Sequence, residues 1–152
     1  MTFITNTFRK FILNRAVKKI KKVINCIETD LMDEFLELLL KIFRLVFWLN
    51  IAGFRENIKD FNARYTFRTE KGKIAASAIF KDDKMTVEEE EIPGTNVTVI
   101  FKDGKALWEF LMAGNPDVFA FVLANKLSYK GNLNYLMKFA YMAIHLKVVF
   151  GL

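Results

Sequence analysis

The stretch that decides the fold runs from Thr98 to Phe139 and reads TVIFKDGKALWEFLMAGNPDVFAFVLANKLSYKGNLNYLMKF. It begins with a short β-type run at residues 97–101. Asp103 follows, and an aspartate at this point can cap the free amides of a new helix. The sequence therefore predicts a strand and then a helix that ends near Met112.

A tight corner comes next. Gly114 can take a left-handed C-terminal position, Asn115 can cap a second helix, and Pro116 suits the first turn of that helix because its missing N–H costs nothing there. Both helices are apolar on nearly every side, and such helices are normally covered all round. A strand at residues 126–132 then precedes a long closing helix.

In this order and spacing the chain resembles the sterol carrier protein type-2 domain, the non-specific lipid-transfer family. The resemblance extends from Phe54 to the C-terminus. The chain departs from the family at Asn125, where Gly is usual, although Asn also tolerates a left-handed conformation. The matching residues are Asp103 and Gly114 around the first helix, Pro116 and Phe119-Ala120-Phe121 in the second, and Lys126, Leu127, Tyr129, Gly131 and Asn132 in the strand segment.

The resemblance implies an α+β fold, in which apolar helices cover a five-stranded, mostly antiparallel sheet. We divide the chain into an N-terminal helical arm at residues 1–52 and the lipid-binding domain at residues 53–152. An apolar tunnel for a sterol, fatty acyl or isoprenoid lipid is the implied site. Ordinary core packing is the alternative for each residue that we predict to line it: Trp108, Leu111, Met112, Phe119, Leu123, Met137, Ala140 and Ile144.

The composition agrees with this interpretation. Hydrophobic residues make up 53% of the chain and aromatic residues 14%, which is more apolar surface than a domain of this size needs. A lined cavity or an apolar interface would absorb the surplus.

The formal charge of +6 is concentrated near the N-terminus. Residues 8–27 form an amphipathic helical pattern with basic residues on one face, so this segment either lies on an anionic membrane or packs on the domain or on a second copy in a homodimer. Cys26 is expected to be a small buried residue. The predicted membrane contacts are Lys18, Lys19, Lys21 and Lys22.

The pattern predicts a second, strongly apolar helix at residues 28–50, which covers the tunnel mouth or pairs with another subunit. Strands are expected at residues 61–68, 74–80 and 85–91. The acidic run at residues 88–91 is not read as a metal site, because consecutive strand residues point to opposite faces. His145 is expected at the surface, on the polar stripe of the closing helix.

A single cysteine and a single histidine allow neither a zinc cluster nor a standard catalytic triad. We therefore expect no enzyme activity, no metal and no cofactor. The basic helix has no interleaved aromatic residues, which argues against nucleic-acid binding. Without a convincing secretory signal or membrane span, a cytoplasmic protein is expected, peripheral at the inner membrane face. The alternative function is a non-enzymatic accessory protein, for example in quinone or lipid metabolism, whose own side chains fill the tunnel.

Overall fold

A five-stranded sheet forms one layer of the protein, and helices cover one of its faces. In the computed structural model the described residues are Arg15, Lys18 and residues 32–72 and 74–150. Arg15 and Lys18 are helical and exposed, whereas the rest of the predicted basic helix lies outside the described residues. The other predicted residues outside them are Lys19, Lys21, Lys22 and Cys26.

The elements follow the predicted order. Helix α1 spans Met32–Leu49 and leads into a 3₁₀ helix at Ile51–Ile58. The strands are β1 Ala63–Thr69, β2 Ala75–Lys81, β3 Lys84–Glu88, β4 Val97–Phe101 and β5 Leu127–Gly131. The remaining helices are α2 Gly104–Met112, α3 Val118–Leu123 and α4 Leu133–Phe150.

The strand order is β3-β2-β1-β4-β5, with β1 and β4 parallel and all other neighbours antiparallel. A parallel pair needs a crossover; here the β2–β3 hairpin and residues 89–96 connect β1 to β4. Ser77 Oγ donates to the Glu90 carbonyl at 2.6 Å, and the Asn96 amide donates to the Arg64 carbonyl at 2.8 Å. The predicted α+β architecture with a mostly antiparallel sheet is confirmed.

The alternation of buried and exposed residues in β1 shows which face of the sheet the helices cover. Tyr65 and Phe67 are buried, whereas Arg64 between its buried neighbours is exposed. The Phe67 ring lies 4.5 Å from the ring of Phe139 on α4, centroid to centroid. Since side chains in a strand alternate between the two faces, α4 packs on the Tyr65 face of the sheet.

Helix α1 packs against β2 and β3. Its buried face includes Phe43 and Phe47, which belong to the same apolar core as the strands. On its outer side Lys41 forms ion pairs with Glu37 at 3.2 Å and with Glu89 at 2.6 Å. The boundary near residue 52 stays a prediction, although this packing places the second half of the proposed arm in the core of the sheet layer.

The predicted cap of α2 is present. Asp103 Oδ1 accepts a hydrogen bond from the Ala106 amide at 2.8 Å. Asn125, the departure from the family pattern, has a φ of 52°, so it occupies the left-handed conformation that Asn tolerates better than most residues. The strand that follows is formed as expected.

The corner between α2 and α3 differs from the prediction. Asp117 caps α3, since its carboxylate accepts from the Ala120 amide at 3.1 Å. Asn115 is therefore not the cap, and Pro116 precedes the helix. Gly114 does not have a positive φ, so it does not form the predicted left-handed end. A carboxylate at residue 117 serves as the cap, and the fixed φ of proline suits the extended connection before it.

Candidate functional site

The residues predicted to line the tunnel divide into an inner and an outer group. Leu111 and Ala140 are buried, and Trp108 and Ile144 are half-buried. Their contact with a lipid stays a prediction. The outer group consists of exposed side chains, with exposed fractions of 39% for Met112, 56% for Phe119, 84% for Leu123 and 41% for Met137.

Part of the layer between helices and sheet is filled by aromatic side chains. The Phe139 ring lies 5.7 Å from Tyr65 and 5.5 Å from Phe43. Phe47 lies 5.9 Å from Phe80. Such ring spacings are those of packed aromatic pairs. The protein's own side chains therefore occupy the space between α1, α4 and strands β1 and β2.

Burial raises the pKa of Tyr65 above its ordinary value. Its hydroxyl donates to the Tyr135 carbonyl at 2.9 Å. The apolar layer favours the neutral, hydrogen-bonded phenol over the charged form. Tyr65 is therefore a structural residue of the core.

The inner face of α4 differs from the prediction at Met137. Met137 and Ala140 are both predicted to line the tunnel, but Met137 is exposed whereas Ala140 is buried. Phe139 takes the inward direction and reaches Phe67, because burying the larger aromatic ring removes more apolar surface from water. The buried face of α4 consists of Leu136, Phe139, Ala140, Met142, Ala143 and Leu146.

The prediction for His145 is also wrong. Its ring is half-buried and lies 4.8 Å from the Phe54 ring. Asn57 Nδ2 is 3.0 Å from His145 Nδ1. The cause is the 3₁₀ helix, which the sequence did not predict and which packs along this side of α4.

Several apolar side chains are exposed at the corner between α2 and α3. Phe119 and Leu123 stand one turn apart on α3, and residues at this spacing share a helix face. Met112 ends α2 before the same corner. Behind this surface, Phe110 packs edge-on against Phe121 with centroids 5.2 Å apart. The short helix α3 thus buries Val118 alone completely, while Phe119 and Leu123 are exposed.

Helix α4 carries a second exposed apolar stripe. Met137, Tyr141, Ile144 and Val148 are spaced by four, three and four residues, so they lie on one face. Tyr141 and Val148 are exposed, and Ile144 is half-buried. The inner face of the same helix is buried in the core, so α4 is apolar on two sides.

Lys147 connects α4 to the corner between α2 and α3. Its ammonium donates to the Ala113 carbonyl at the end of α2, which brings the last turns of α4 next to the α2–α3 corner. Burial lowers the pKa of Lys147 below its ordinary value, because desolvation disfavours the charged form. At the other side of the corner, Lys126 pairs with Glu109 at 2.6 Å and lies over the Phe121 ring.

Within the described part of the chain, no three His, Cys, Asp or Glu side chains are placed to hold a metal ion. Members of the acidic run have other partners: Glu89 pairs with Lys41 at 2.6 Å and Glu91 with Arg68 at 3.7 Å. Of the helices that the structure describes, none is long and apolar enough to cross a membrane.

Comparison with known proteins gives structural matches only. No family model and no curated protein sequence matches the chain. A ubiquinone synthesis protein, UbiJ-SCP2, is 14% identical over 68% of this chain and 90% of that chain, with a TM-score of 0.51. The sterol carrier protein domain 2 of Helicoverpa armigera is 15% identical over 69% of this chain and 87% of that chain, with a TM-score of 0.49.

A stereoselective inverting sec-alkylsulfatase from Pseudomonas sp. is also similar, at 14% identity over 66% of this chain and a TM-score of 0.53. The present chain spans only 15% of the length of that protein. At sequence identities this low, the structural similarity indicates a shared fold but not a shared activity. In its five-stranded sheet, strand order and helical layer, the described part of the chain has the sterol carrier protein type-2 fold.

Proposed function

We propose that this protein binds a hydrophobic lipid on the apolar surface formed by α2, α3 and α4, and that it carries or presents that lipid. The observation that carries the proposal is the exposure of Met112, Phe119, Leu123 and Met137 on neighbouring helices of an otherwise well-packed layer. Large exposed apolar patches on soluble domains mark interaction sites. The similar UbiJ-SCP2 fold supports a ligand of this class.

The energetics favour an acyl or isoprenoid chain. Each methylene removed from water contributes about 0.8 kcal/mol, so ~12 methylenes contribute roughly 10 kcal/mol before the cost of association. The exposed side chains would contact the lipid, and Trp108, Leu111, Ala140 and Ile144 would form the base beneath it. This proposal includes no bond-breaking step, and we assign the protein no catalytic role.

A binding titration with a fluorescent fatty acid tests the proposal. Full-length protein is loaded with the fluorescent fatty acid 12-(9-anthroyloxy)stearate, and the affinity is compared between wild type and Phe119→Ser/Leu123→Ser. We expect the double variant to weaken binding at least about tenfold, because two large apolar contacts are lost. The control is Ile79→Ser, which removes a half-buried aliphatic side chain from β2 on the sheet face opposite Phe80 and should not change the affinity.

Equal loss in the control and the double variant would contradict the assignment to this surface. No measurable binding of the probe by wild type, together with native mass spectra free of co-purifying lipid, would contradict lipid binding itself.

A non-enzymatic accessory protein at the membrane surface is the second candidate, favoured by the aromatic rings that fill the layer beneath α1 and α4. In that case the same apolar surface would contact a protein or a second copy. A cytoplasmic location, peripheral to the inner membrane face, fits both candidates. Deleting residues 1–27 and measuring flotation with anionic liposomes at low salt separates a membrane tether from a helix that packs on the domain.

A further inference from the structure

A second, chemically different groove lies on the other half of the molecule, between α1 and the β2–β3 hairpin. Its volume is about 740 Å³, within the usual range for sites that hold small molecules. The proposed lipid surface lies over β4 and β5, so the two sites do not overlap. The lining includes Arg44, Leu45, Trp48, Arg55 and Lys84.

One wall is a single face of α1. Lys41, Arg44, Leu45 and Trp48 are spaced by three, one and three residues, which places them together on the helix surface. Trp48 is 70% exposed although it stands at the edge of a cavity. An aromatic ring and an aliphatic side chain on this wall provide a contact surface for an apolar or planar group.

The opposite wall is a tight hairpin turn. Asp82 and Asp83 have φ values of 52° and 57°, as a two-residue turn between antiparallel strands requires. Asp83 Oδ1 accepts from the Asp60 amide at 2.9 Å, which fixes the turn against the chain before β1. Lys84 follows at the start of β3, and the buried Met85 lies beside it.

Three cations in the groove are available to an anion. Arg55 is held in place, since Nε donates to the Phe47 carbonyl at 3.1 Å and Nη2 to the Trp48 carbonyl at 2.7 Å. Its remaining N–H groups have no partner among the residues that the structure describes. Arg44 and Lys84 have no ion-pair or side-chain hydrogen-bond partner among the described residues. Lys41 differs, because Glu37 and Glu89 already neutralise it.

We propose that this groove binds a small amphiphilic anion, in which a phosphate or carboxylate contacts Arg44, Arg55 and Lys84 and an apolar body lies on Trp48 and Leu45. Guanidinium groups suit such oxyanions because they donate in parallel. Asp82 and Asp83 also line the groove, and their carboxylates disfavour an anion at the tip of the turn. The anion belongs either to a lipid head group in a bilayer or to a soluble molecule.

The test uses the fluorescence of Trp48 in full-length protein carrying Trp108→Phe, which leaves Trp48 as the only tryptophan. Hexyl phosphate contains both parts of the proposed ligand, whereas inorganic phosphate and hexanol contain one each. We expect hexyl phosphate to shift the emission at concentrations where the other two have no effect. If either half binds as tightly as hexyl phosphate, the proposal is wrong.

Two double variants with the same change in net charge test which cations contact the anion. Arg44→Gln/Lys84→Gln should weaken binding of hexyl phosphate about tenfold or more, since charge-assisted hydrogen bonds are lost. Arg64→Gln/Lys130→Gln removes the same charge from exposed positions on the other face of the sheet and should have no effect. Equal losses in the two double variants would reduce the effect to net charge and overturn the proposal.

Vesicles of phosphatidylcholine with 30% phosphatidylglycerol distinguish the two sources. A Trp48 shift on these vesicles that hexyl phosphate reverses assigns the anion to a lipid head group. Binding of hexyl phosphate without binding of vesicles assigns it to a soluble molecule. Neither result tests the proposed lipid surface on α2, α3 and α4. The variants of that surface, Phe119→Ser and Leu123→Ser, do not change the groove, so the two proposals can fail separately.

Discussion

Truncation of Phe43 is the sharpest test of how α1 belongs to the fold. The side chain is fully buried, and its ring centroid lies 6.3 Å from Phe47, 6.2 Å from Phe54 and 5.5 Å from Phe139. Phe43→Ala removes the ring from the junction of three elements. Such truncations cost about 3–5 kcal/mol when the surroundings collapse only partly.

That cost is a large share of the roughly 5–15 kcal/mol by which domains are stable. For a chain of this length each kcal/mol lowers the melting temperature by about 2–4 °C, so we expect a decrease on the order of 10 °C in a thermal scan followed by circular dichroism. Trp48→Ala is the control on the same helix. Because Trp48 is exposed, its truncation should change the stability by no more than about 0.5 kcal/mol.

The reasoning is refuted if Phe43→Ala melts within about 1 kcal/mol of wild type. It is refuted equally if unfolding occurs in separate steps, with the sheet unaffected by the substitution. Either result would make α1 an arm that contributes little to the stability of the sheet domain.

Three further predictions concern single positions. Gly131 has a φ of 106°, and a Cβ there would lie 2.2 Å from the Asn96 carbonyl oxygen. Gly131→Ala should therefore lower the free energy of unfolding by more than about 2 kcal/mol in denaturant titrations, whereas Gly72→Ala, with open space around it, should lower it by about 1 kcal/mol. Tyr65→Phe should cost about 1 kcal/mol at pH 7. The raised pKa of Tyr65 means that the unfolded state ionises first, so wild type should lose stability above pH 10 and the deficit of the variant should shrink. Asp103→Ala should cost about 1 kcal/mol through loss of the α2 cap, and Asp103→Asn much less.

The strands and the closing helix were predictable from local pattern. The alternation around Tyr65 and Phe67 identified β1 and its buried face, because the period of two depends only on the strand itself. Asp103 marked the start of α2 for a similarly local reason: its side chain caps an amide three residues away.

Which side of each helix faces the sheet was not predictable in the same way. On α4 both Met137 and Phe139 are apolar, and contacts with Phe43, Tyr65 and Phe67 on other elements favour the inward direction for Phe139. The burial of His145 depends on the 3₁₀ helix, whose sequence Ile51–Ile58 contains Gly53 and gives no regular helical period. A binary pattern records which residues are apolar, whereas the choice among apolar faces is made by tertiary packing.

The corner at Asp117 illustrates competition between caps. Asn115 and Asp117 are both good capping residues, and the sequence alone gives no reason to prefer the later one. The choice shortens α3 to Val118–Leu123. Phe119 and Leu123 on this short helix are exposed, so the expectation that it would be covered all round was wrong.

The aromatic filling beneath α1 bears directly on where a lipid can bind. A ligand placed between α1, α4 and the sheet would have to displace rings such as Phe43 and Phe139, and each displaced ring forfeits about 3–5 kcal/mol of packing. A chain of ~12 methylenes brings roughly 10 kcal/mol before the cost of association, which two or three displaced rings would cancel. The exposed side chains of α2, α3 and α4 offer apolar contact without that loss. The proposed lipid would therefore bind at the outer side of the helical layer, where it would cover Phe119 and Leu123 and leave the core intact.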